Sequence, residues 1–185
     1  MSEPMKHSLS PFLPGSLGLG MIGNCAISAL IDAQARMVWC CLPRFDGDPV
    51  FNALLEPGEN GSHFAIEVED LASTEQWYEP NTAILRTRLL DKAGQGVEVT
   101  DFAPRFFSRS RYFRPMTLVR QERNNSSLSV IRAKLITAKS GTTKRAMVAP
   151  WRKNHIAKIK AAAVHRHPLP NCQLVSRRDG TNGRE

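Results

Sequence analysis

The sequence predicts an all-β protein built as an antiparallel β-sandwich, and three observations lead to that prediction. Several short segments alternate apolar and polar side chains, as half-buried strands do. Turns that contain Gly, Asp or Pro separate these segments at short intervals, which is typical of antiparallel strands in a sandwich. The segments do not alternate with long amphipathic helices, so a parallel α/β sheet is not expected.

The strand predictions follow the alternation along the chain. The segment 63–69 places Phe64, Ile66 and Val68 on one face, as a half-buried strand requires. Equivalent patterns predict strands at 26–31, 36–42, 83–90 and 97–102, and a weaker one at 128–136. Two short helices are also predicted, at 50–55 before Pro57-Gly58 and at 157–164.

Composition and cysteine spacing restrict the class of protein. Hydrophobic residues make up 42% of the 185 residues, which is enough for a packed core. No run of 18 uncharged apolar residues occurs, so a membrane-spanning helix is not predicted. The four cysteines, Cys25, Cys40, Cys41 and Cys172, lack C-x-x-C spacing, and we interpret them as reduced thiols of a cytoplasmic protein. The stretch before residue 31 is too interrupted by Pro and Gly for a secretory signal.

The net charge changes sign along the chain, so its two parts differ in composition. Residues 1–110 contain 8 Lys and Arg against 14 Asp and Glu, a net charge of −6, whereas residues 111–185 contain 17 against 3, a net charge of +14. Pro, Gly and Ser near the start predict a loose segment at 1–16, and the strand pattern weakens after Arg120, where we expect a basic tail at 121–185. Between them we expect an incomplete sandwich at 17–120. The tail contains no Phe or Tyr after Arg120, so we expect little order there.

The basic tail has three interpretations. It is a solvated tail, an out-of-frame or degraded coding region, or a segment that neutralises nucleic-acid phosphates. An abrupt change in charge and aromatic content is what a frame change produces, and nucleic acid is not the expected partner.

Three motifs have both a functional and an ordinary interpretation. The spacing Gly18-x-Gly20-x-x-Gly23 matches a dinucleotide fingerprint, but prolines precede it where a strand is needed, so we expect a flexible approach to the first strand. Asp46-Gly47-Asp48 is favoured as a turn rather than a cation site or an acid–base pair. His165, His167 and Cys172 lie in the basic tail and do not predict a zinc site. We expect no cofactor, no metal and no catalytic residues in this chain.

Ordered blocks of the sequence resemble the N-terminal region of glycoside hydrolase family 15, the bacterial and archaeal glucoamylase-like and trehalase-like proteins. The blocks keep the spacing of the family patterns and cover residues 17–120. They are Ile22-Gly23-Asn24, Ala29-Leu30-Ile31-Asp32, Trp39-Cys40-Cys41-Leu42-Pro43-Arg44-Phe45-Asp46, Tyr78-Glu79-Pro80-Asn81-Thr82, Val97-Glu98-Val99-Thr100-Asp101-Phe102-Ala103-Pro104 and Leu118-Val119-Arg120.

The resemblance implies an N-terminal β-sandwich and a parent reaction, the inverting hydrolysis of α-glucosidic bonds. Catalysis in the family belongs to a following (α/α)6 barrel with two glutamates, which this chain does not contain. We therefore expect a truncated domain that is inactive alone and whose partner is the missing barrel, with an α-glucoside bound only by the full-length form. A stand-alone carbohydrate- or partner-binding module and a nucleic-acid binder that uses the basic tail are the alternatives.

The densest family-like block suggests a place for sugar contacts. In a full-length relative, Trp39, Arg44, Phe45 and Asp46 are expected to form the rim of a substrate pocket, because sugars stack on aromatic rings and bond to Arg and Asp. The structural alternative places Trp39 and Phe45 in the core and pairs Arg44 with Asp46 to fix the loop. For this chain we favour the structural alternative.

Overall fold

The structure, a computed structural model, describes residues 18–56 and 61–124 and the backbone of three strands within 131–160. Every regular element in these residues is a strand. In chain order they are β1 Gly20–Gly23, β2 Ser28–Ile31, β3 Met37–Cys41, β4 Pro49–Phe51, β5 His63–Val68, β6 Leu71–Tyr78, β7 Leu85–Asp91, β8 Gly96–Phe102, β9 Phe106–Ser108, β10 Arg111–Phe113, β11 Thr117–Asn124, β12 Ile131–Thr137, β13 Arg145–Pro150 and β14 His155–Lys160. Among these residues no helix has the length and apolarity needed to cross a bilayer.

Two antiparallel sheets pack face to face. The larger sheet has the order β1-β2-β3-β5-β12-β13, with β4 also paired to β3, and the smaller has the order β14-β11-β8-β7-β6. Ile31 and Phe64 of the larger sheet share a buried cluster with Leu85 and Leu118 of the smaller. Each such buried side chain stabilises the fold by ~1.5–3 kcal/mol. The predicted all-β sandwich is confirmed.

The strands with strong alternation lie where the sequence predicts them, within about two residues at each end. The strand predicted at 63–69 is β5, and those predicted at 83–90 and 97–102 are β7 and β8. β7 and β8 show why the pattern is informative, because every second residue is buried from Leu85 to Leu89 and from Val97 to Asp101.

Both predicted helices are wrong. In the segment 50–55, Phe51 pairs with Cys40 of β3, and β4 ends in a turn in which Asn52 Oδ1 accepts from the Ser62 amide at 2.8 Å. In the segment 157–164, residues up to Lys160 form β14, which pairs with β11; residues 161–164 lie outside the described residues. Short apolar runs contain too few residues to distinguish the period of a helix from the period of a strand.

The Gly-rich fingerprint also differs from expectation. Gly20–Gly23 is itself strand β1, paired with β2, so its glycines do not lie in a strand-to-helix turn. A Cβ on Gly20 would lie 2.5 Å from Leu85 Cδ2, so a larger residue there would require the buried Leu85 side chain to shift. The Tyr78 hydroxyl accepts from the Met21 amide at 2.7 Å and donates to its carbonyl at 2.9 Å. These bonds block the outer edge of β1 against the addition of another strand.

The segment 121–185 contains more strand than the sequence predicts. β12 pairs with β5, and β13 extends the larger sheet beyond β12. β14 forms an edge of the smaller sheet. Ladder hydrogen bonds join backbone groups, so strand pairing here does not depend on the aromatic residues whose scarcity predicted little order. The rest of the tail and the loose segment at 1–16 lie outside the described residues.

Polar side chains link the two sheets inside the core. Arg120 of β11 donates from Nε and Nη2 to the two carboxylate oxygens of Asp101 at 2.7 and 2.8 Å. Its Nη1 donates to the carbonyl of Phe64 in the larger sheet at 3.0 Å, and the guanidinium lies over the Phe64 ring. Gln76 Nε2 donates to the Asp32 carbonyl at 3.0 Å, which forms a second link. These bonds fix the position of one sheet relative to the other.

Candidate interaction surface at the loop end of the sandwich

Most of the exposed large apolar side chains among the described residues lie at one end of the sandwich, here called the loop end, which consists of residues 24–27, 42–48, 79–84 and 103–116. In the larger sheet Ala29 lies opposite Cys40, so the turn before β2 and the loop after β3 leave the sheet together. In the smaller sheet the pairing of β7 with β8 brings the turn at 79–84 beside the segment that follows β8.

Asn24 joins the parts of the loop end that come from different sheets. Its side chain is buried, and Nδ2 donates to the carbonyls of Pro104 and Pro115 at 3.0 and 2.8 Å. Its Oδ1 accepts from the amides of Ala26 and Ile27 at 3.1 and 3.3 Å. One amide side chain therefore closes the turn between β1 and β2 and holds both ends of the 103–116 segment.

Replacing Asn24 with Ala should therefore loosen the 103–116 segment more than the rest of the sandwich. Four hydrogen bonds are lost, and we expect a decrease of about 2 kcal/mol in the free energy of unfolding. Hydrogen–deuterium exchange should accelerate in residues 105–114 while amides of β7 stay protected. Equal exchange in 105–114 of the two proteins would contradict the role assigned to Asn24.

The 103–116 segment presents an aromatic hairpin formed by β9 and β10. Phe106 pairs with Phe113, and their rings stack with centroids 5.6 Å apart. Phe107 pairs with Tyr112 in an edge-to-face arrangement at 5.2 Å. Phe107 and Tyr112 are each 63% exposed and Phe106 is 51% exposed. The hairpin is not predicted by the sequence, since its strands are three residues long.

The predicted pair of Arg44 with Asp46 forms in the exposed loop after β3. Arg44 Nε and Nη2 donate to the two carboxylate oxygens of Asp46 at 2.9 and 2.8 Å. The Arg44 hydrogen bonds and charge lower the pKa of Asp46 below its usual range. The carboxylate is therefore bonded to a guanidinium in a local loop contact, as the structural alternative predicts.

Trp39 and Phe45 are not core residues, so this part of the structural alternative is wrong. Trp39 is half-buried and lies opposite Leu30; because Ala29 and Ile31 face the core, Leu30 and Trp39 lie on the outer face of the larger sheet. Phe45 is 55% exposed. The role of Trp39, Arg44, Phe45 and Asp46 at a sugar pocket stays a prediction.

The candidate metal and thiol groups give no metal centre in the described residues. No cluster of three or more His, Cys, Asp or Glu side chains that could hold an ion occurs there, and His165, His167 and Cys172 lie outside them. Burial raises the pKa of the Cys41 thiol, and the nearby charges of Asp48 and Asp46 raise it further. A thiol held protonated in this way is a poor nucleophile.

The structure also identifies buried ionisable groups that sequence reasoning missed. Asp101, Arg120 and Glu122 are at most 4% exposed. Burial raises the pKa of Glu122 to about 8, and Asp101 adds to the rise while Arg120 opposes it. Carboxyls with such perturbed pKa values are candidates for catalysis, but these lie between the sheets where a sugar has no access. One feature of the sequence does indicate that Asp101 is buried. The strand period of two places Asp101 on the same face of β8 as Val97 and Val99.

The fold and the polar contacts define a class of protein. It is a β-sandwich domain whose buried polar residues maintain the fold and whose exposed aromatic surface lies at one end. The family model for the trehalase-like N-terminal domain matches residues 17–122. The chain belongs to this family, which confirms the resemblance at the level of the N-terminal domain.

Two relatives are similar to less than half of the chain each. A protein named trehalase from Thermoplasma volcanium is 31% identical over 87 residues, which cover 46% of this chain and 14% of the relative. Trehalase 1 of Sulfolobus acidocaldarius is 39% identical over 92 residues, which cover 49% of this chain and 15% of the relative. The match thus spans about one-seventh of the length of these relatives. No solved structure matches the chain significantly.

Proposed function

We propose that this chain is the non-catalytic N-terminal domain of an α-glucoside hydrolase of the glycoside hydrolase family 15 type, with trehalose as the first substrate to test. Its partner is a catalytic (α/α)6 barrel, and hydrolysis with inversion takes place in that barrel. The chain alone binds no substrate productively. The proposal includes a cytoplasmic location, which is supported by the free state of Cys25, Cys40 and Cys41.

One observation carries the proposal: the polar residues of the family-like blocks bond to other parts of the domain itself. Asn24 closes a turn and holds a neighbouring segment. Asp32 accepts from the amides of Gln34 and Arg36, both at 2.9 Å, in the turn between β2 and β3. Asp101 and Arg120 pair in the core. Residues used in this way support a scaffold rather than a reacting site, which favours a domain that serves another domain.

The first test is hydrolysis by the purified chain. With trehalose, maltose and starch as substrates, we expect no glucose above the buffer blank in a coupled glucose assay, because inverting hydrolysis requires two carboxyls on opposite sides of the sugar. The Sulfolobus acidocaldarius trehalase serves as the positive control. Glucose release that co-purifies with the chain through two different columns would contradict the proposal.

A stand-alone carbohydrate-binding function is the second candidate, and one observation favours it. Phe45 is 55% exposed beside the Arg44–Asp46 pair, and Trp39 is half-buried on an outer face. An exposed ring beside charged hydrogen-bonding groups suits a sugar. Saturable binding of maltose or trehalose in calorimetry, weakened by Trp39→Ala, would support this candidate and would count against an exclusively scaffolding role.

A further inference from the structure

The β9–β10 hairpin forms a two-stranded sheet that is separate from both sheets of the sandwich. Arg109 and Ser110 at its turn have φ of 49° and 62°, as in the type I′ turns that suit the twist of paired strands. Two-stranded hairpins are at best marginally stable in water, and three strands or packing against another element are normally needed. The fixed hairpin with outward aromatic side chains is therefore suited to being covered by a partner.

Guanidinium groups already cover ring faces of the hairpin. Arg105 lies over the Tyr112 ring at 5.1 Å from its centroid, and Arg111 lies over the Phe113 ring at 4.8 Å. Phe113 is also stacked on Phe106. Phe107 and Tyr112 remain 63% exposed, and two such large side chains next to each other suit insertion into an apolar depression of a protein.

The charge of the hairpin restricts the partner further. The segment 103–117 contains Arg105, Arg109, Arg111 and Arg114 and no Asp or Glu. All four arginines are exposed in the structure. Stacking on the rings limits the freedom of two of these side chains, and their remaining N–H groups are available to carboxylates. The complementary surface is therefore an apolar depression with Asp and Glu at its rim.

We propose that the β9–β10 hairpin is the docking element through which this domain binds the remainder of a trehalase-like protein, on an acidic surface with an apolar centre. The proposal rests on the proposed function, which supplies the partner. In the two relatives the matched region covers only 14% and 15% of the length, so most of each protein lies outside it. Phe107 and Tyr112 are the anchors, since Tyr, Phe and Arg are enriched at interfaces and a few central residues provide most of the affinity.

The test measures binding of the full chain to the part of Sulfolobus acidocaldarius trehalase that lies beyond the matched region, produced as a separate polypeptide. The variant Phe107→Ser with Tyr112→Ser removes the anchors, and we expect binding weaker by ~tenfold or more. The control variant Leu55→Ser changes an apolar side chain that is 70% exposed in another turn, and it should bind like the wild type. Wild-type affinity should fall with added salt, because exposed arginines contribute.

The outcomes separate the hairpin from the proposed function. Equal binding by the wild type and the double variant would overturn the role of the hairpin but leave the proposed function intact. If neither the wild type nor either variant binds, docking between the two separate polypeptides is overturned. The hydrolysis test then decides the proposed function separately. Tight binding of a labelled single-stranded RNA that the double variant loses would identify a nucleic-acid partner and overturn the proposal. Circular dichroism melting of each variant establishes that it is folded.

Discussion

Replacing Arg120 with Leu is expected to lower the free energy of unfolding by about 3–5 kcal/mol. The change leaves the Asp101 carboxyl, which is 0% exposed, without the guanidinium that bonds to both of its oxygens. It also removes the donor to the Phe64 carbonyl and the cation that lies over the Phe64 ring. Denaturant unfolding followed by circular dichroism measures the loss.

The chain contains a matched control for this prediction. Arg44 and Asp46 form the same two-bond pair, but their side chains are 77% and 68% exposed. Exposed pairs contribute little because water solvates both partners, so Arg44→Leu should leave the unfolding curve nearly unchanged. Equal effects of the two substitutions would show that burial does not set the contribution of the Arg120–Asp101 pair.

A double replacement tests the physical cause. With Arg120→Leu and Asp101→Leu together, no charge is left unpaired in the core, and apolar replacement of a buried ion pair is often neutral or stabilising. We expect the double variant to regain a large part of the stability that Arg120→Leu loses. A double variant as unstable as the sum of the two single variants would mean that the two residues contribute independently, which would contradict the unpaired charge as the cause.

The sequence predicts the fold well where one face of a strand is buried. β7 and β8 alternate buried and half-buried side chains over 85–90 and 97–102, because they lie in the middle of a sheet with one face on the core. β6 was not predicted, because it forms a sheet edge and its exposed first half has no clean alternation. For β4 the sequence predicts a helix instead, since three residues are too few to show a period.

The candidate surface is harder to predict than the fold. The Arg44–Asp46 pair is local, so its partners are visible in the sequence two residues apart. The contacts of Asn24 span 80 and 91 residues, and no local pattern indicates them. Hydrophobicity does not predict the aromatic hairpin, because large apolar side chains are expected in the core and those of the hairpin are exposed to solvent.

The burial of Glu122 also depends on packing between residues that are distant in the sequence. Because this carboxyl is buried, the stability of the fold is expected to depend on pH. Its side chain is 4% exposed, and Oε1 has no hydrogen-bond partner within the part of the chain that the structure describes. Burial raises its pKa from 4.5 to about 8, with Asp101 raising it and Arg120 lowering it. At neutral pH the folded protein therefore holds this carboxyl mainly in its protonated form.

The free energy of unfolding should fall as the pH rises from about 4.5 to about 8, because over this window the folded state binds a proton at Glu122 that the unfolded state releases. The stability that protonated Glu122 contributes is fully present below the pKa of this group in the unfolded state. It is lost as the pH rises through the pKa of the group in the folded state. Its size is of the order of a few kcal/mol, since each pKa unit corresponds to about 1.4 kcal/mol.

Glu122→Gln isolates this contribution from the other titrating groups. The amide resembles the protonated acid in shape but does not ionise, so the variant should gain stability relative to the wild type as the pH rises, and most at pH 9. Glu69→Gln, at an exposed position, is the control and should follow the wild type at every pH. Parallel stability curves for Glu122→Gln and the wild type between pH 5 and pH 9 would mean that Glu122 is already ionised and solvated in the folded protein.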